Sequence, residues 1–176
     1  LTPGDEPLDP TAALGEPPRY AFDFHHRNRR PPRDPVNALL SLAYALLAKD
    51  LTVTAAAVGF DPYLGFYHLP RPGRPALALD LMEPFRPLLA DSAVITAINN
   101  RMVCPEHFVE AGNGISMTTS GRRAFFRAYE QRMDQLVTHP LFDYRVSYRR
   151  LLEIQTRLLA RVVSDELKTY PSFFTP

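Results

Sequence analysis

The 176 residues carry 20 Lys+Arg against 19 Asp+Glu, and at 45% hydrophobic content they suffice for one domain with a real core. A near-neutral total neither favours nor excludes a nucleic-acid partner, and the lone Cys104 excludes an internal disulfide or a thiolate zinc cage, leaving it as a small buried hydrophobe. With no run of about 18 apolar residues and no charged start followed by an apolar core, neither a membrane span nor a secretory leader is expected, and the chain reads as cytoplasmic.

Residues 1–19 hold five of the eighteen prolines among glycine and acids, a composition that reads as a linker or mobile loop. A brief extended segment follows, expected to carry Tyr20, Phe22 and Phe24 into the core. Asp34 as N-cap and Pro35 in the first helical position open a helix whose Val36, Leu39, Leu40, Ala43, Leu46 and Leu47 recur at helical spacing. A second helix over residues 52–58 is ended by Gly59, and a Pro/Gly-rich loop runs to residue 75. From Ala76 the apolar pattern resumes, with Pro84 and Pro87 predicting two helices broken near Glu83. Residues 108–118 read as a hairpin turning at Gly112-Asn113-Gly114. Ser120 then caps a helix through about residue 137, and a last helix spans about residues 144–167. The sum is a mainly α, bundle-like domain over residues 20–176 with one minor β-hairpin and no internal repeat.

The stretch "HLPRPGRPALALDLME", residues 68–83, carries the chemistry. Asp80 and Glu83 stand three apart, on one face of a helical turn, where two like charges repel unless a cation lies between them. An imidazole with carboxylate oxygens suits Mn²⁺ and Mg²⁺ and leaves positions for water and a phosphate oxygen. The same pattern also describes a loop leading into an amphipathic helix with two solvated acids. In favour of the metal, the acids sit in the apolar run "LALDLMEPF", where an unpaired charge is expensive. Arg27, Arg29, Arg30 and Arg33 cluster before the first helix, and Arg71 and Arg74 follow His68. All but Lys49 and Lys168 of the basic residues are arginine, whose flat fork matches phosphate. Either cluster can grip phosphates or be a solvated charge run. Arg122, Arg123, Arg127 and Arg132 read as the wet face of an amphipathic helix, and there is no Walker loop, Rossmann glycine pattern or nucleophile elbow.

Four blocks, "RNRRPPRDPVNALLSLAYALL", "GFYHLPRPGRPALALDLMEPFRPLLADSAV", "TTSGRRAFFRAYEQRM" and "RRLLEIQTRLLARVV", together resemble the C-terminal helical domain of the CRISPR adaptation integrase family. The resemblance covers nearly all of residues 20–176. It implies a metal-dependent DNA endonuclease that uses Mg²⁺ or Mn²⁺ to join the 3′-hydroxyl ends of captured DNA to the repeat array by transesterification, inserting new spacers. It implies a homodimer, a small dimeric partner protein and double-stranded DNA, both protospacer and repeat array. Residue by residue, it assigns catalysis and metal binding to His68, Asp80 and Glu83, with glutamate at 83 where the family often has aspartate. A further glutamate ligand, expected on a helix shortly upstream of "RNRRPP", has no counterpart: the chain offers only Asp5, Glu6, Asp9 and Glu16 in a proline-rich stretch that is not expected to be helical. The family's N-terminal β-domain and that ligand are therefore expected to precede Leu1, and the 176 residues alone are expected to be nearly inactive. The competing expectation is a non-catalytic helical module that binds DNA or protein.

Overall fold

The computed structural model describes residues 22–173, so the proposed linker over 1–19, Tyr20 and the four upstream acids lie outside the described residues. Helix α1, Pro35–Val58, starts where expected: the Asp34 carboxylate accepts from the Asn37 N–H at 2.8 Å, satisfying an N–H that the first turn cannot. It does not stop at Lys49-Asp50. The expected second helix is its last two turns, because Asp50 accepts from the buried Tyr129 hydroxyl at 2.8 Å and the charged pair costs the helix little. Gly59, at φ 109°, ends it, its N–H reaching back to the Ala55 and Ala56 carbonyls. By length and composition alone α1 could cross a membrane. Its Leu39, Ala43, Leu47, Leu51 and Ala55 stripe is instead buried to 0–1% exposure against helices α2, Ala76–Met82, α3, Ser92–Asn99, and α5, Tyr148–Val163, which makes it the central core helix.

The proline break falls at Glu83 as expected. Helix α2 passes into a 3-10 turn, Glu83–Phe85, then a π-helical stretch, Arg86–Asp91, before α3. Strands β1, Phe108–Ala111, and β2, Gly114–Met117, form the first hairpin, with Gly112 at φ 61°. The Ile115 N–H donates to the Pro32 carbonyl at 2.7 Å, and a Cβ on Gly114 would lie 2.7 Å from that same oxygen. The hairpin thus braces the segment carrying Arg29 and Arg30. Helix α4, Thr119–Asp134, is capped by Thr118, whose hydroxyl accepts the Gly121 N–H at 3.0 Å, two residues earlier than predicted. It is also shorter, because residues 136–139 pair with 144–147 as a second antiparallel hairpin, β3 and β4, which trims the start of α5 to Tyr148. The fold is mainly helical with two small hairpins. Two smaller expectations shift: Phe24 is 49% exposed, leaving Phe22 to pack edge-on against Phe108, and Cys104 is half-buried.

The second hairpin buries His139. Its Nδ1 accepts the Leu141 N–H at 3.2 Å, and its Nε2 lies 3.3 Å from the Gln155 side-chain amide nitrogen. Burial lowers the imidazole below its ordinary 6.5. The unfolded chain therefore binds the proton first, and the stability that neutral His139 contributes is complete above pH 6.5 and lost as the pH falls below it. The unfolding midpoint is expected to fall between about pH 7.5 and about pH 5, and His139→Gln to flatten that segment of the profile in calorimetry.

A candidate metal and phosphate cleft

Asp80 sits in the last turn of α2, beneath the loop that precedes it. Its Oδ2 accepts the backbone N–H groups of Phe66 at 2.6 Å and Tyr67 at 3.0 Å. Its Oδ1 takes the His68 N–H at 3.0 Å and the His68 ring Nδ1 at 2.5 Å. The loop can approach this closely because residue 65 is glycine: a Cβ there would lie 2.8 Å from both the Asp80 Oδ2 and the Ala76 Cβ. Burial by itself would raise the Asp80 carboxyl, but the Tyr67, Phe66 and His68 donors together hold it below the usual carboxylate range. Asp80 is therefore an ionised, nearly buried acceptor with 7% side-chain exposure. Bonded to it through Nδ1, the His68 ring in its neutral form carries its proton there and leaves Nε2 as a lone-pair donor.

Glu83 lies one turn further on, 49% exposed, and its Oε1 meets Arg86 Nη2 at 3.0 Å. His68 and Glu83 line one open cleft of about 650 Å³, together with Arg29, Arg30, Arg71, Arg74 and Arg86. Among the described residues no three His, Cys, Asp or Glu side chains converge on a common point. The structure thus brings two of the three expected ligands onto the cleft and turns Asp80 behind one of them.

The arginines divide. Arg29, Arg30, Arg71 and Arg74 form the cleft, and no acid pairs with them among the described residues. Arg71 and Arg74 are held across from each other by a backbone bridge, the Arg74 N–H donating to the Arg71 carbonyl at 3.0 Å. Arg33 is exposed but does not line the cleft. Arg27 points inward: its Nη1 donates to Asn28 O at 2.5 Å and Asn37 Oδ1 at 2.6 Å, and its Nη2 to Ser41 Oγ at 3.0 Å. Asn37, fully buried, receives this charge and donates to the His26 carbonyl and to Asp34, tying the segment before α1 to the helix. Of the α4 arginines, Arg122, Arg123 and Arg127 are exposed as the amphipathic pattern predicts, while Arg132 donates to the Leu88 carbonyl and lies over the Tyr148 ring. Sequence reasoning missed Gly65, Asn37, Arg86 and Tyr44. Only Arg86 carried a signal, standing three residues after Glu83 at ion-pair spacing.

A profile described as "CRISPR associated protein Cas1" matches residues 13–131. The chain belongs to the Cas1 family. A Cas4/Cas1 exonuclease–endonuclease fusion of Geobacter sulfurreducens is 59% identical over 161 residues, 92% of this chain and 29% of the relative. A Cas1 endonuclease of Thermus thermophilus is 46% identical over 152 residues, 86% of this chain and 46% of the relative. The chain thus spans less than half the length of either Cas1 relative. Among solved structures, a casposase bound to an integration product superposes with a TM-score of 0.78 at 25% identity, over 86% of this chain and 44% of that one. A Cas6-RT-Cas1–Cas2 complex matches with a TM-score of 0.73 at 25% identity, over 86% of this chain and 16% of its own.

Proposed function

We propose that these residues are the helical catalytic domain, residues 20–176, of a Cas1 DNA endonuclease and integrase of CRISPR adaptation. In this reading Mg²⁺ or Mn²⁺ is held by the His68 Nε2 and the Glu83 carboxylate, and Asp80 orients the imidazole. The observation that carries it is the opening of an Asp80-locked histidine and a half-exposed glutamate onto one cleft whose Arg29, Arg30, Arg71 and Arg74 have no acid partner among the described residues. The donor set fits: a neutral imidazole nitrogen and a carboxylate oxygen suit either ion, and the remaining positions go to water, to the DNA and to groups outside the described residues. A bound ion supplies polarisation of a phosphodiester.

The chain's own residues do the rest. Asp80 keeps the Nδ1 proton of His68 in place, so the ring presents a lone pair and not an N–H. Arg71, Arg74, Arg29 and Arg30 bind the flanking phosphates and hold the DNA in register. The joining step balances without a redox partner: the 3′-hydroxyl oxygen of the captured fragment attacks a repeat phosphorus and gives up its proton to solvent, the bond from that phosphorus to the repeat 3′-oxygen breaks, and the departing strand's 3′-oxygen takes up a proton from solvent. The substrates are double-stranded protospacer and repeat-array DNA in the cytoplasm, and the working assembly is a homodimer with a small dimeric partner protein. The casposase–product complex and the Cas1–Cas2 assembly among the structural neighbours support DNA and that partner.

Metal removal tests the reading. Treating the intact protein with EDTA is expected to abolish cleavage of branched duplex DNA, and excess Mn²⁺ to restore it; cleavage that survives chelation would overturn the metal site, and no cleavage with either ion would leave a helical DNA- or protein-binding module. The arginines are separable by the same assay. Replacing Arg71 and Arg74 together by alanine is expected to weaken duplex binding and to lower the slope of log affinity against log salt by about two. Arg27→Ala should leave that slope unchanged and cost about 2–3 kcal/mol of stability, since it removes the guanidinium that donates to Asn28 O, Asn37 Oδ1 and Ser41 Oγ.

A further inference from the structure

Beside the cleft, two guanidiniums, one of them from the cleft-lining Arg86, lie over one phenol ring. The Cζ of Arg86 is 5.4 Å from the Tyr44 centroid and that of Arg27 is 5.5 Å from it. The Tyr44 hydroxyl donates to Asp91 Oδ1 at 2.6 Å, which fixes the rotation of the ring. The Nε atoms of both arginines are buried, without a hydrogen-bond partner among the described residues. On that side, therefore, the π face is the attraction that seats them. Arg27 has other anchors in Asn28, Asn37 and Ser41, whereas among the described residues Arg86 has only Glu83. A half-exposed Glu–Arg pair three residues apart orders itself weakly, because each long side chain gives up rotamer freedom for a screened attraction. Something must hold one of the two still.

We propose that Tyr44 is a positioning residue for the cleft carboxylate: its ring seats the Arg86 guanidinium, and Arg86 in turn holds Glu83 toward the cleft. The inference rests on the reading that Glu83 binds the divalent ion, and adds that α1, through a residue that touches neither metal nor DNA, sets the geometry of that ligand. The ring does this work and the hydroxyl does not. Substituting Tyr44 leaves the Arg86 charge in place and removes only what orders it, so the expected consequence is weaker metal binding and not stronger.

The test is Mn²⁺ affinity by calorimetry on the full protein, with the unfolding midpoint recorded for each variant. Glu83→Gln and Tyr44→Met are each expected to weaken Mn²⁺ binding, the latter about three- to tenfold, the cost of ordering one long side chain anew. Tyr44→Phe, which keeps the ring and loses the Asp91 bond, should bind Mn²⁺ within about twofold of the wild type while unfolding earlier. The Tyr44→Met/Glu83→Gln double variant should bind no more weakly than Glu83→Gln alone. Should Tyr44→Met not fold, Tyr44→Leu takes its place. A Tyr44→Met protein with a lowered midpoint and wild-type Mn²⁺ affinity, or additive losses in the double variant, would overturn the positioning role and leave the metal site standing. Wild-type affinity in Glu83→Gln would overturn the metal site, and this inference with it.

Discussion

Alanine at His68 is expected to lower metal-dependent DNA cleavage by at least about 100-fold in the intact protein, with the unfolding midpoint nearly unchanged. The asymmetry follows from where the ring sits. His68 lies on a loop with 24% side-chain exposure, and its imidazole contributes to the fold through one contact, Nδ1 to Asp80. Deleting it leaves the Asp80 carboxylate with three backbone N–H donors, which keep both the acid and the loop in place. What disappears is the lone pair on Nε2, which Asp80 reserves for a ligand outside the ring. Turnover and direct Mn²⁺ titration should fall together, and unchanged turnover would dispose of the assignment.

The opposite pattern is expected for Asp80→Ala, which should damage both stability and activity. Three backbone N–H groups and an imidazole lose their shared acceptor at once. The Phe66 and Tyr67 amides belong to exposed residues that water can reach in part, while the His68 amide lies in a half-buried one, so the loss is expected at about 2–4 kcal/mol and not a full penalty for each. Freed from Nδ1, the ring no longer keeps one tautomer or one orientation, and activity should drop about 10- to 100-fold even where the protein is fully folded. Asp80→Asn should fall between: its amide oxygen can still accept N–H bonds, but its NH₂ faces a donor. The discriminating measurement is Mn²⁺ affinity at a temperature well below the midpoint. An Asp80→Ala protein that binds Mn²⁺ normally there would reduce Asp80 to a loop clamp with no bearing on the metal.

Much of the fold could be read from local chemistry. The Asp34-Pro35 start of α1, a helix stop at Gly59, the break at Glu83 and the turn at Gly112 all rest on backbone constraints that act within a few residues, and each stands where expected, although the helix that Gly59 ends is α1 itself and not a separate second one. The errors lie where a distant partner outweighed a local signal. Lys49-Asp50 does not interrupt α1, because Tyr129, 79 residues away, takes up the aspartate. The second hairpin was hidden inside helical periodicity: only the pairing of Leu136 with Ser147 and Val137 with Val146 reveals it.

The site shows the same division. The grouping of His68, Asp80 and Glu83 as one candidate site came from the resemblance of four sequence blocks to the family; order along the chain and the apolar setting of the acids favoured it but equally described two solvated carboxylates. Which of them faces the cleft is a question of direction, and direction depends on what a side chain packs against. Gly65 lets the loop close on Asp80 and turns it inward, and Arg86 on the Tyr44 ring receives Glu83. Arg27 and Arg29, two residues apart in one basic run, end on opposite sides of the surface because a buried asparagine accepts the first and nothing among the described residues accepts the second. Residue type and spacing determined the chemistry available to this chain; only tertiary packing, by supplying or withholding a partner for each charge, decided which groups were left free to use it.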